Sequence, residues 1–327
     1  MKCRKLFDKF VAFVYNRSTE TRGESLASDK CARMEKNMAR KFVLMTDTGS
    51  DLPDEYYAKH EIDCVQLGFT LDGNTYGGDD GAAMDVKKFY ELLRGGALPK
   101  TFQVTPAQAM NHIQPHLEAG KDVLILAFSS GLSGTCESYR IAAKELSESF
   151  PERKVYVVDS LCASLGQGLF VDYVVKKADA GATIEETRDY AEDLKLHICH
   201  FFTVDDLFHL KRGGRVSGAT AAIGSLLKIK PVLHVDDAGH LIAIGKAMGR
   251  KKSISALVDK MVELNTLGAD DPIFISHGDC IEDVNYLVSL IRERFGAREI
   301  FINEIGSVIG THSGAGTVAL FFVGKHR

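Results

Sequence analysis

A chain of 327 residues that is 45% hydrophobic and 26% charged has enough mass for two ordinary globular cores. Its net charge is −4, but residues 1–40 carry ten Lys or Arg against five Asp or Glu, which leaves about −9 for the rest and argues against a body that binds nucleic acid. Seven cysteines (Cys3, Cys31, Cys64, Cys136, Cys162, Cys199, Cys280) show no CxxC spacing and no clustered His; this argues against a zinc site and a disulfide framework and predicts a reducing, cytoplasmic setting.

The first 40 residues read as a basic extension, disordered or amphipathic. Its apolar stretch, residues 10–15, is too short to span a membrane or to form a clear signal-peptide core. Phe7, Phe10, Val11 and Val14 share one helical face, which allows at most transient contact with a membrane surface. Met38 is a sensible alternative start.

From residue 42 onward, strand-like apolar runs alternate with amphipathic ones. Strands are predicted at 42–46, 123–128 and 155–159, and helices at 53–59, 85–93, 106–118, 136–150, 163–179 and 184–196. That alternation is the pattern of an α/β domain with a parallel sheet. After about residue 197 the pattern changes. Strands at 229–235 and 241–244 flank the turn Asp236-Asp237-Ala238-Gly239 as a hairpin, helices at 253–265 and 281–295 enclose a strand at 273–276, and 318–323 forms a last strand. The fold class is therefore α/β in two parts: an N-terminal parallel-sheet domain, 41–196, and a C-terminal mixed α+β domain, 197–327. A ligand is expected between them or at the strand ends of the first.

Ser129-Ser130-Gly131-Leu132-Ser133-Gly134-Thr135 stands where a strand becomes a helix. Free backbone N–H groups at a helix start, with hydroxyls and glycines beside them, suit a carboxylate or phosphate; the simpler alternative is that Ser130 or Ser133 caps the helix. Gly310-Thr311-His312-Ser313-Gly314-Ala315-Gly316-Thr317 is a second hydroxyl and glycine cluster. Its His312 suits a carboxylate, or makes a structural hydrogen bond in a turn that leads into the last strand.

Other motifs fail. Gly166-Gln167-Gly168 lacks the third glycine of a dinucleotide fingerprint, where Val171 stands. The run from Gly239 to Ala247 is one residue too long for a P-loop and ends in Ala. Ser133 is not in a nucleophile elbow, because Thr135 occupies the last glycine position.

Together, six segments in one order resemble the DegV family. They are Asp47-Thr48-Gly49-Ser50-Asp51-Leu52-Pro53, Pro99-Lys100-Thr101-Phe102-Gln103-Val104-Thr105-Pro106, the Ser129–Thr135 loop, Lys211-Arg212-Gly213-Gly214-Arg215-Val216-Ser217, Leu226-Leu227-Lys228-Ile229-Lys230-Pro231, and Gly310-Thr311-His312. The resemblance runs from about Lys41 to the C-terminus.

It implies a FakB-like carrier, similar to the fatty-acid-binding subunits of bacterial fatty acid kinase. Such a protein holds a long-chain fatty acid in an apolar tunnel between two α/β domains and presents it to a separate FakA-like kinase subunit, with no cofactor or metal and no catalysis of its own. By the family's pattern Thr101 and one of Ser129 or Ser130 bind the carboxylate, with Thr311 and His312 close by. Gly131, Ser133, Gly134, Thr135 and Gly310 shape the loops, and Arg215 docks the kinase, braces the carboxylate end or satisfies helix carbonyls.

The chain departs from the usual pattern at Phe102, where Ser is common, at Ala315, in place of Pro, and at Met248, where Arg is frequent. Two alternatives stay open. One is a hydrolase or acyltransferase with Ser129 or Ser130 as nucleophile and His312 as base. The other is a lipid-sensing regulator without a kinase partner.

Overall fold

The computed structural model describes residues 40–205, 207–216, 229–266, 268 and 271–327. The extension through Ala39, with the Phe7, Phe10, Val11 and Val14 face and Met38, lies outside the described residues, as do Ser217 and Leu226-Leu227-Lys228. Arg40 belongs to the folded body, where it pairs with Asp179 at 3.1 Å.

The N-terminal part runs β1 (Phe42–Asp47), α1 (Asp54–Lys59), β2 (Ile62–Val65), β3 (Gly68–Leu71), β4 (Asn74–Gly77), α2 (Val86–Arg94), β5 (Lys100–Phe102), α3 (Pro106–Glu118), β6 (Asp122–Ala127), α4 (Thr135–Ser149), β7 (Val155–Asp159), α5 (Leu165–Asp179) and α6 (Ile184–Leu194). The C-terminal part continues with β8 (Ile198–Thr203), α7 (Phe208–Arg212), β9 (Ile229–Val235), β10 (Leu241–Met248), α8 (Arg250–Leu264), β11 (Ile273–His277), α9 (Ile281–Phe295), β12 (Ile300–Glu304), α10 (Ser307–Ser313) and β13 (Val318–Val323).

Local chemistry sets several of these boundaries. Thr105 caps α3 by accepting from Gln108 N, with Pro106 in the first turn where its missing N–H costs nothing. Thr183 and Glu186 form a reciprocal capping box that starts α6. Asp85 accepts from Lys88 N at 2.8 Å and fixes the start of α2.

Strands β2-β1-β6-β7 form a parallel sheet, and β10-β9-β8-β13-β11-β12 form a six-stranded sheet in which only the β11–β12 pair is parallel. The fold class is thus the one expected from the sequence. The hairpin is also present, closed by Gly239 N donating to Asp236 O. The sequence reading did not include the three-stranded antiparallel sheet β4-β3-β5, nor β2, β8 and β12. The cluster around His312 is a short helix, α10, and not a turn; it ends at Gly314, where φ is +81°.

The central strands β1, β6, β8, β11 and β13 are buried on both faces, which is why most of them read as nearly unbroken apolar runs. Met45, Val123 and Ile125 pack under α3 and α4, whereas Leu44, Leu124 and Leu126 face the opposite side, toward α5. On β13, Val318, Leu320 and Phe322 meet α8 and α9, while Ala319 and Phe321 turn toward α5. Helix α5 therefore lies between the sheets, apolar on nearly every side. Burying a side chain such as Leu169 or Phe170 contributes roughly 1.5–3 kcal/mol.

Candidate ligand cavity

A cavity of about 340 Å³ lies in the same interval between the sheets. Its apolar walls come from both parts of the chain: Phe128, Leu132 and Ala163 from the first, and Phe202, Val235, Leu241 and Phe321 from the second. Helix α10 adds Val308 and Ile309, and Leu67 closes the side toward the small sheet. Its volume and predominantly apolar lining are those of a small-molecule site.

While Ser164, His200 and Thr317 also line the cavity, one group of polar side chains centres on His312. Its Nε2 lies 2.8 Å from Thr101 Oγ1, on the short strand β5. Its Nδ1 is buried without a hydrogen-bond partner among the described residues. Burial first, then the charges of Arg215, Arg212 and His209, push the imidazole down to about 4, so it is neutral near pH 7. A proton on Nε2 leaves an acceptor unsatisfied at Nδ1, whereas the other tautomer would leave a buried N–H, which is the costlier orphan. In the preferred tautomer His312 donates to Thr101, and the threonine keeps its own proton to give.

Arg215 also lines the cavity. Its Nε donates to Leu132 O at 3.2 Å and Nη1 donates to Gly213 O, and burial lowers its pKa below the ordinary guanidinium value. Arg215 therefore satisfies backbone carbonyls and stands at the polar end at the same time. Gln103 and Ser133 complete the set; Ser133 Oγ lies 3.0 Å from Thr135 Oγ1 and accepts from Thr135 N.

The 129–135 loop corrects the sequence expectation at two points. Ser129 and Ser130 do not line the cavity; Ser133 does. Ser129 is fully buried, and its Oγ donates to Gly239 O at 3.0 Å and accepts from Gly131 N, which binds the loop to the β9–β10 hairpin. Ser130 is exposed, and its backbone N donates to Asp159 Oδ1.

The predicted free amides are also largely spent. Those of Phe128, Ser129, Ser130, Gly131, Leu132, Ser133 and Thr135 all donate within the protein. Gly131 is required for a different approach from the one expected: a Cβ there would come within 2.7 Å of Ala238 O. Gly134 makes room for the Gln103 side chain and precedes α4 without a side-chain cap, so neither Ser130 nor Ser133 caps that helix in the usual way.

Thr311 and Gly310 serve the helix and not the cavity wall. Thr311 Oγ1 donates to Ser307 O at 2.8 Å, and Gly310 packs against Phe89 and Tyr90. Thr135 is buried behind Ser133, accepting weakly from Val104 N at 3.4 Å. The His312 Nε2 contact goes to Thr101, and Ser129 Oγ donates to Gly239 O and not to His312.

Phe102, one of the departures from the usual pattern, lines the cavity with its ring across Gly68, where a Cβ would lie 2.1 Å from Cζ. The remaining walls carry no sequence signature, since Phe202 or Val235 in a strand reads the same whether it meets a neighbour or an open space. Among the described residues no His, Cys, Asp or Glu cluster is arranged to hold a metal ion, and no helix is long and apolar enough to cross a membrane.

The family model described as "Uncharacterised protein, DegV family" matches residues 41–325. A DegV domain-containing protein of Clostridium perfringens is 42% identical over 288 residues, covering 88% of this chain and 99% of that one. A fatty acid-binding protein of Thermotoga maritima is 32% identical over 286 residues, covering 85% and 96%. Among solved structures, a DegV family protein from Thermus thermophilus, described for its fatty acid binding, superposes with a TM-score of 0.78 at 31% identity, covering 87% of this chain and 99% of that one. With the fold, the segment order and these relatives in agreement, the chain belongs to the DegV family.

Proposed function

We propose that the protein binds a long-chain fatty acid in this cavity, with the carboxylate at the Thr101–Ser133–His312–Arg215 end and the acyl chain along the walls between the sheets. The observation that carries the reading is a predominantly apolar cavity with hydrogen-bonding side chains, Thr101, Ser133, His312 and Arg215, grouped in its lining. A buried carboxylate costs several kcal/mol unless it is hydrogen-bonded. Thr101 and Ser133 hydroxyls, with the Arg215 guanidinium nearby, offer that compensation, and each buried CH₂ adds about 0.8 kcal/mol of affinity. Relatives described as fatty acid-binding proteins support the ligand class.

Presentation of the carboxylate to a separate kinase subunit is the finer part of the proposal. It rests on the resemblance to the carrier subunits of fatty acid kinase. A partner would find Phe102 and Arg212 exposed near this end of the cavity, with Arg215 half-buried beside them.

Mass spectrometry of lipid extracted from the purified protein tests the ligand. About one fatty acid per chain, depleted in a Thr101→Ala, Ser133→Ala double variant, is the expected result. A lipid-free protein that also fails to take up palmitate, or a lipid content indifferent to both hydroxyls, overturns it.

A further inference from the structure

Asp51 is a buried acid at the end of the turn that follows β1, and four other elements converge on it. Its Oδ1 accepts from Gly306 N at 3.0 Å, immediately before α10. Its Oδ2 accepts from Ser164 Oγ at 2.6 Å, immediately before α5, and the same hydroxyl lies 2.8 Å from Ser276 Oγ on β11. Its backbone carbonyl accepts from Asn303 Nδ2 on β12 at 2.7 Å. Asp51 takes a left-handed conformation (φ 50°, ψ 23°) that Asp adopts readily, whereas Ser164 (φ 56°, ψ −149°) is in a region that a non-glycine residue keeps only where its surroundings enforce it.

The groups held this way belong to the cavity wall. Ser164 and Ile305 line it directly, and α10 carries Val308, Ile309 and His312. On its other side α10 rests on Tyr90, whose hydroxyl donates to Ile305 O at 2.9 Å. A short helix fixed at the residue that precedes it and along one side leaves His312 little freedom to choose where it meets Thr101.

We infer that Asp51 is a positioning residue for the ligand site, whose carboxylate joins the start of α10 to the β1 turn and to α5 and so sets the contact between His312 and Thr101. Burial pushes its carboxyl up to about 7, although the Ser164 and Gly306 hydrogen bonds pull the other way; a group so disfavoured by its surroundings is held there by the contacts it makes. The inference rests on the fatty-acid reading for its binding readout alone, because the His312–Thr101 contact is measured without any ligand.

The test combines nuclear magnetic resonance of the His312 ring nitrogens with palmitate titration. Asp51→Ala removes the junction. Gly306→Ala perturbs it from the other side, because its Cβ would lie 2.8 Å from Asp51 Oδ1 at a backbone φ of −63° that alanine adopts freely. Both variants are expected to shift the His312 ring signals and to weaken palmitate binding at least fivefold. Asp51→Asn, which can still accept from Gly306 N and pair with Ser164, is expected to stay within threefold of the parent. Leu287→Ala on α9, a core deletion beneath the far face of the six-stranded sheet, controls for general destabilisation and is expected to leave the ring signals in place.

Unchanged His312 signals in the Asp51→Ala or Gly306→Ala protein overturn the inference, as do equal shifts in Leu287→Ala. If Asp51→Ala does not fold, Gly306→Ala alone decides. If the parent protein fails to bind palmitate, the functional reading falls while the ring signals still judge the role of Asp51.

Discussion

Thr101 and His312 divide the work at the polar end by their protonation states. A neutral His312 donating from Nε2 makes Thr101 an acceptor on one side and a donor on the other, toward a carboxylate. A hydrogen bond to a charged group is worth about 1.5–3 kcal/mol, so Thr101→Ala is expected to weaken palmitate binding by about tenfold or more in calorimetric titration. Ser133→Ala is expected to act in the same direction. Ser130→Ala, at an exposed side chain outside the cavity, is expected to change affinity by less than twofold.

Ser129→Ala belongs to a different class. It removes the bonds to Gly239 O and from Gly131 N, so it is expected to lower stability by about 1–3 kcal/mol while affinity stays within threefold. Ser130→Ala proving as damaging to binding as Ser133→Ala would contradict the assignment. The choice among these serines was not readable from the sequence. Four hydroxyls within seven residues carry the same chemistry, and which of them meets the cavity depends on the hairpin turn 110 residues away that captures Ser129.

At the level of elements, some of the strongly periodic or continuously apolar segments are readable to the residue, while others, such as β6 and α8, shift by one to three residues at their ends. Strands β9 and β13 and helices α3 and α9 have the predicted bounds, because each is long enough for its pattern and starts or stops at a marked residue. The small sheet was not, since β3, β4 and β5 are three or four residues long and Asn-Thr-Tyr-Gly in β4 is half polar and exposed. Nothing in the sequence marks α10 as a helix, because its Gly and hydroxyl content disfavours one; packing of Gly310 against Phe89 and Tyr90 overrides that preference.

Helix α3 supports a pH-dependent prediction. His112 Nδ1 lies 3.2 Å from Asp63 Oδ1 and its Nε2 lies 3.3 Å from Asp79 Oδ1, while His116 Nε2 lies 2.8 Å from Asp63 Oδ2. The hydrogen bond to Asp63 raises the His112 pKa above its ordinary value, against a burial penalty. Burial pushes Asp63 up, but the bonds and charges of the two histidines outweigh it and hold the carboxyl below its usual range.

A raised imidazole pKa contributes stability that is fully present below the unfolded value and is lost as pH rises through the folded one. In thermal unfolding, the parent is therefore expected to exceed His112→Gln by about 1–2 °C near pH 6, with the difference gone by pH 9, a size set by partial solvent screening. A difference that grows toward pH 9 would contradict this sign.

Across the whole molecule, the core does not stop at the boundary between the two sheets. One cluster runs from Phe42 and Leu44 on the parallel sheet through Leu169, Phe170 and Val174 on α5 to Leu233, Phe274 and Phe321 on the six-stranded sheet. The chain is therefore expected to unfold in one calorimetric transition, and a ligand seated between the sheets is expected to raise it. At one hundred times its dissociation constant, a bound fatty acid adds about 2.7 kcal/mol. Two resolved transitions, or a ligand that moves only one of them, would show that the halves are not coupled through this interval.

The most direct test of the central claim is a crystal structure of the protein with palmitate bound. The account predicts the carboxylate within hydrogen-bond distance of Thr101 Oγ1 and Ser133 Oγ, next to His312, with the chain running past Phe202 and Phe321. A fatty acid held by Ser129 or Ser130, reversed in the cavity, or bound outside it would contradict the account.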